Sequence, residues 1–174
     1  MTAAARIDAA ACLTSVFRPG PQHEQLLALV GRWSGTTSTW LAPQAPADEA
    51  GTEATIEALL GGRFVRIDYQ SAVQGQPHAG QMLLGFHNDA RAFELAWLDS
   101  FHTGTAIMLS TGAAVDDADG ALVSVLGSYR AGPERWGWRT VLRPLHRDEL
   151  LIEAYNVSPS GHEDRAIATR LKRL

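Results

Sequence analysis

The run Arg63-Phe64-Val65-Arg66-Ile67-Asp68-Tyr69-Gln70 and the run Ala92-Phe93-Glu94-Leu95-Ala96-Trp97-Leu98-Asp99 decide the fold. Both alternate with a period of two, so Val65, Ile67 and Tyr69 share one face, as do Phe93, Leu95 and Trp97. A strand with one buried and one wet face belongs in an antiparallel sheet, whereas strands of a parallel sheet read as continuous apolar runs. The same alternation returns in Trp136, Trp138, Thr140 and Leu142, and in Ile167, Thr169 and Leu171.

Working outward from these runs, turn chemistry recurs at short intervals: Gly61-Gly62, Gly75-Gln76-Pro77, His87-Asn88-Asp89, Gly132-Pro133 and Ser158-Pro159-Ser160-Gly161. The segments between them give about ten antiparallel strands, near residues 31–41, 51–60, 63–74, 77–87, 91–99, 103–114, 120–130, 136–144, 147–157 and 162–173. Short links of this kind favour hairpins, and hence a meander that closes into an all-β barrel. One helix is expected over 22–30, where Leu26, Leu27, Leu29 and Val30 form an apolar stripe ended by Gly31. Residues 1–21 read as a leader, partly disordered or peripheral, and 22–174 as a single barrel domain. The Pro-containing segment 42–50 is the longest connection and reads as a flap over the barrel mouth.

Composition narrows the function classes. With 15 basic against 19 acidic residues the net charge is -4, and no basic face for nucleic acid is expected. Lys172 is the sole lysine, which argues against Schiff-base chemistry, and the single Cys12 excludes an intrachain disulfide and a four-thiolate metal site. No apolar run is long enough to span a membrane, and a cytoplasmic location is expected. The oligomeric state stays open, with a homodimer among the options.

Two charged residues fall in phase with the buried sets: Arg63 precedes Val65 and Asp99 follows Trp97. A charge facing a barrel interior must be paired or hydrated, so Arg63 and Asp99 are expected to meet, as a strut or as a clamp on a ligand carboxylate. Trp33, Tyr69, Trp97, Trp138 and Thr140 also fall on inward faces. Together with Arg63 and Asp99 they form the candidate binding set for a small apolar or amphipathic molecule. A partial fill is expected, with Trp33 at a closed end and Trp97 and Trp138 flanking a space.

The string Leu29-Val30-Gly31-Arg32-Trp33-Ser34-Gly35, with Gly51-Thr52, Leu60-Gly61-Gly62-Arg63-Phe64, Gly80 to Gly85-Phe86 and Ala96-Trp97-Leu98-Asp99-Ser100, resembles bacterial domain-of-unknown-function family 1579. The resemblance runs from about residue 22 to the C-terminus and implies a lipocalin-like, calycin-type barrel. It implies no activity. The Gly-x-Trp opening is also similar to the first strand of lipocalins and fatty-acid-binding proteins, which implies a structural role for Trp33 across the closed end. The longer Gly-x-Trp-x-Gly form resembles nitrobindin-like haem barrels, and through that resemblance His162 becomes a haem-ligand candidate.

From the residues alone no cofactor or metal is expected. His23, His78, His87, His102, His146 and His162 are scattered, without the spacing of a zinc motif. Asp99, Ser100 and His102 are close in sequence, but strand alternation would point neighbours to opposite faces, and no Gly-x-Ser-x-Gly elbow is present. Asp116, Asp117, Asp119 and Gly120 read as a solvated hairpin tip, since a calcium loop would need a glutamate where Gly127 stands. Two function classes remain: a binding module, and an isomerase- or cyclase-type enzyme with Asp99 or Tyr69 as the proton carrier.

Overall fold

Alternation that buries one face of every strand leaves two sheet edges exposed unless the first and last strands meet. In the computed structural model they do. The structure describes residues 17–43, 45–114 and 120–174; Cys12, most of the leader and the acidic tip at 116–119 lie outside them. A short helix α1 (Pro21–Leu27) precedes ten strands: β1 (Gly31–Thr39), β2 (Asp48–Leu59), β3 (Phe64–Val73), β4 (Gln76–His87), β5 (Ala92–Asp99), β6 (Met108–Ala113), β7 (Val123–Ala131), β8 (Glu134–His146), β9 (Glu149–Val157) and β10 (Glu163–Arg173). Each strand pairs with its sequence neighbour, and β1 pairs with β10 to close the barrel. All ladders are antiparallel, as the alternation requires.

Local chemistry sets the register. Gln74 and Gly75 take φ of 50° and 74°, the backbone of a type I′ turn, so Val73 sits opposite Gln76 and the β3–β4 hairpin is pinned. The β6–β7 seam is the loosest, with Thr111 opposite Leu126 as its one paired position. Inward residues Ile56, Val65, Leu84, Phe93, Val125 and Leu150 form the core.

One end of the barrel is plugged. Trp33 is buried there, its Nε1 donating to the Leu29 carbonyl at 2.9 Å, and the Arg173 guanidinium lies 4.2 Å above its ring. Arg173 also donates to the carbonyls of Val30 (2.6 Å) and Ala28 (2.8 Å). These three carbonyls, which lie past the helix, are satisfied by barrel partners, and the Leu29 and Val30 amides bond back over three residues to Leu26 and Leu27, so α1 ends at Leu27 instead of running to residue 30. Leu26 and Leu29 are buried under it, while Val30 is exposed. Pro21 starts the helix at the position where its missing N–H costs nothing.

Several boundaries differ by a few residues from the sequence expectation, and two of the differences have a clear local cause. β2 begins at Asp48, because Asp48 pairs with Thr39 and its carboxylate accepts from the Gln74 amide at 2.8 Å, so the connection shortens to 40–47. β6 begins at Met108, because the chain after Asp99 folds into a turn built on that residue's carboxylate.

Closure depends on Gly35. A Cβ there would lie 1.9 Å from the Arg170 carbonyl oxygen, inside the backbone of β10. Gly35→Ala is therefore expected to lower stability by about 2–3 kcal/mol, read as a shift in the urea midpoint, because the β1–β10 seam must separate to admit the methyl group.

Candidate functional site

The end opposite Trp33 is open, and the inward residues of that half line a cavity. About 590 Å³ of atom-free space lies there, including the part that opens to solvent, and a water-sized molecule can centre itself within about 50 Å³ of it. One wall is a chain of hydroxyls carried by β1, β2, β3 and β10. Thr37 Oγ1 lies 2.6 Å from Thr52 Oγ1 and 2.8 Å from Thr169 Oγ1, and Thr52 Oγ1 donates to Ser71 Oγ at 2.9 Å. Facing it, Trp97 of β5 and Trp138 of β8 stack with centroids 5.2 Å apart at 25°. Ile67, Met82, Ile152 and Ile167 complete the apolar lining.

Asp99 sits at the rim with 3% of its surface exposed. It ends β5, and the following turn wraps around its carboxylate: the amides of Phe101 and His102 donate to Oδ1 at 2.7 and 2.6 Å. Thr103 Oγ1 accepts from the Asp99 amide at 2.8 Å and donates to its carbonyl at 3.0 Å. His102 Nδ1 lies 3.0 Å from Oδ1, and the Tyr69 hydroxyl donates a short hydrogen bond to Oδ2. Tyr69 reaches across β4 because the residue between them is Gly80; a Cβ at Gly80 would lie 2.2 Å from the hydroxyl. The Trp97 indole N–H donates to the same hydroxyl at 2.8 Å.

Electrostatics follow from this geometry. Burial pushes the Asp99 carboxyl up, but hydrogen bonds from His102, Tyr69 and the His102 amide outweigh it and hold the group well below the usual carboxylate range. Burial, and then the neighbouring Asp99 charge, push the Tyr69 phenol far above its ordinary value. Asp99 is therefore a weak base and Tyr69 a very weak acid. His78 is lowered mainly by burial, partly offset by Asp99 and reinforced by His102.

Tyr69, Trp97, Asp99, Trp138 and Thr140 all line the cavity. Arg63 and Trp33 do not. Arg63 is exposed near the plugged end, its Nη1 donating to the Leu60 carbonyl at 2.8 Å, and the expected Arg63–Asp99 pair does not exist. The reason is directional. β3 and β5 both pair antiparallel with β4 and so run the same way, which leaves the start of β3 and the end of β5 about 20 Å apart along the barrel. The clamp on a ligand carboxylate falls with it. His162 is also misplaced for haem: at the β9–β10 link, its side chain is 72% exposed and pairs with Asp164 at 3.3 Å, so the residues present do not fit a haem held by His162.

Two histidines that the sequence reading passed over do reach the cavity. His78 shares the inward phase of Gly80, Met82 and Leu84 on β4, a signal present in the sequence. His102 arrives because alternation ends at Asp99 and a turn begins, so the proximity of Asp99 and His102 in sequence is meaningful after all. One ligand-type atom from each of His78, Asp99 and His102 lies within 4.8 Å of the others, so scattered histidines do converge. Four buried atoms at the cavity have no hydrogen-bond partner among the described residues: both ring nitrogens of His78, Trp138 Nε1 and Thr140 Oγ1.

A family model described as a protein of unknown function, DUF1579, matches residues 18–173. The chain belongs to the DUF1579 family. No curated protein matches it. Among solved structures this DUF1579 chain is similar to Rv2717c from M. tuberculosis, at 18% identity and a TM-score of 0.59, covering 90% of this chain and 99% of that one. It is also similar to the S-type phycobiliprotein lyase CPES from Guillardia theta, at 14% identity and a TM-score of 0.54, covering 87% and 91% respectively. These likenesses establish the calycin-type barrel. Among the described residues no helix is long and apolar enough to cross a membrane.

The Asp99 network makes acid stability a readout of the site. A carboxyl held below its ordinary value in the folded state contributes stability that is complete above the unfolded value, about pH 4, and is lost as pH falls toward the folded one. Asp99→Asn is expected to be less stable at neutral pH by about 1.5–3 kcal/mol, through weakened hydrogen bonds to a charged acceptor. It should also lose less further stability than wild type between about pH 5 and 3, measured by urea melts at each pH.

Proposed function

We propose that this DUF1579 protein binds a small, neutral, amphipathic molecule in the open half of the barrel. The observation that carries the reading is the divided lining: an aromatic and aliphatic wall opposite a hydroxyl wall, with the polar-tipped side chains of Trp138, Thr140 and His78 among the lining residues. Pockets that hold small molecules have this composition, mostly apolar with a few placed polar groups. The described lining contains no arginine or lysine, and its ionised Asp99 disfavours an anion, so a fatty acid or other carboxylate is a poor fit. The enclosed space suits a group of a few heavy atoms beside the buried Trp97 and Trp138 rings, with the rest of the ligand extending toward solvent. That a barrel of the same fold is a phycobiliprotein lyase supports use of the cavity for a small molecule.

An enzyme reading is favoured by one observation, the Asp99–His102 contact at 3.0 Å. A carboxylate that holds one imidazole nitrogen frees the other to move a proton, and the chemistry would then run through His102 rather than Asp99 or Tyr69.

The binding reading is tested by tryptophan fluorescence with 2-naphthol as a neutral amphipathic probe and dodecanoate as the anionic comparison, both in the presence of EDTA. Naphthol should quench saturably. Trp138→Ala should weaken it by about tenfold or more, equivalent to ~1.4 kcal/mol, while Arg63→Ala leaves it unchanged. Tighter binding of dodecanoate than naphthol, or naphthol binding indifferent to Trp138→Ala, would overturn the proposal.

A further inference from the structure

We infer that His78, Asp99 and His102 form a binding site for one divalent transition-metal ion of the zinc class, at the polar rim of the cavity. Two imidazoles and one carboxylate are the donor set that zinc, cobalt and iron(II) accept, while calcium and magnesium prefer oxygen alone. The three donor atoms lie within 4.8 Å of one another. Ligands on a tetrahedral zinc are roughly 3.4 Å apart, given bonds of about 2.0–2.1 Å, so a small rotation of the His78 side chain completes the set. The His102 Nδ1 to Asp99 Oδ1 edge, at 3.0 Å, already has the spacing of adjacent ligands, and the ion would take the place of the shared proton.

His78 supplies the independent observation. Its ring is 91% buried by the complement of its 9% exposure, it lines the cavity, and neither nitrogen has a partner among the described residues. A neutral imidazole carries one donor and one acceptor, and leaving both unmet in the interior is costly. The nearest chemistry able to use its lone pair is the Asp99–His102 pair, whose ring centroid for His102 is 5.8 Å away.

The surroundings are those of a built site. Asp99 is fixed by two backbone amides, and its other oxygen is held by Tyr69, which Trp97 holds in turn. Such outer hydrogen bonds orient ligands and are a regular part of metal centres. Three protein donors leave at least one position open, and it faces the cavity lined by Trp97 and Trp138, the arrangement of a metal that meets a small molecule. The inference shares the cavity with the proposed ligand but does not rest on it.

The test is titration of the untagged full chain, first stripped with EDTA, with Co²⁺ and then Zn²⁺ and no organic ligand. One equivalent of Co²⁺ should give visible ligand-field absorption of four- or five-coordinate intensity, which Zn²⁺ abolishes. His78→Ala should weaken Zn²⁺ at least about tenfold, while His162→Ala, which removes an exposed histidine of the far link, should not. His78 has no hydrogen bond to lose, so His78→Ala should fold, and the melting temperature of its metal-free form checks this. Binding equally sensitive to His162→Ala, insensitive to His78→Ala, or absent would overturn the metal site. Naphthol binding in EDTA is scored separately, so loss of one reading leaves the other standing.

Discussion

Closure between β1 and β10 is the constraint on which the rest of the molecule depends. These strands are joined by some of the longest-range contacts in the chain, such as Thr37 opposite Thr169, and ordering so large a loop carries an entropic cost that local hairpins avoid. What offsets it is concentrated at one end. Arg173 of the last strand covers the Trp33 ring of the first and binds the carbonyls of Ala28 and Val30, so helix, first strand and last strand are locked by one guanidinium. Gly35 then lets the two backbones approach. With that end filled by Trp33, Leu26 and Leu29, the void is displaced to the other half, where the strands still surround it.

The open half is organised by a single carboxylate. Removing Asp99 would strand two backbone N–H groups, a tyrosine hydroxyl and an imidazole, and buried groups left without partners cost more than the bonds themselves contribute. Through Tyr69 the network ties β3 to β5 over Gly80, and through the amides it shapes the turn that delivers His102. The site is therefore carried on strand ends and a capped turn, not on a free loop.

Period-two alternation made the barrel legible, since inward phase can be read from Phe93, Leu95 and Trp97 or from Trp138 and Thr140 without coordinates. It also contained His78, which a search for histidine motifs passed over because cross-strand convergence leaves no spacing signature in one strand. Arg63 and Asp99 show the limit of phase reasoning. Alternation reports which face a side chain takes, but not its height along the barrel, and the height is set by strand direction. His102 is hidden for a different reason: alternation does not hold past Asp99, where the carboxylate and Thr103 stop the strand and a turn sets the direction of His102. The carbonyls just past α1 find their partner in Arg173, 143 residues away from Val30, and no local rule holds that information.

The cavity is costly for the fold to keep. Trp138, Thr140 and His78 each bury polar atoms without a protein partner among the described residues, and a buried polar group left unpaired costs about 1–3 kcal/mol. Phenylalanine, valine and leucine would fill similar volume without that cost, and the plugged end shows that this chain can build a satisfied core, since the Trp33 indole there has its acceptor. Among the described residues the unpartnered atoms are also not spread through the barrel: with Ser110 Oγ as the remaining case, they belong to residues that line one cavity. A group that is expensive when empty becomes selective when occupied, because a molecule that supplies the missing donors and acceptors recovers what an isosteric hydrocarbon cannot. On the proposed binding role, the polar side chains would set which molecule enters and the Trp97–Trp138 stack would form the apolar floor beneath it.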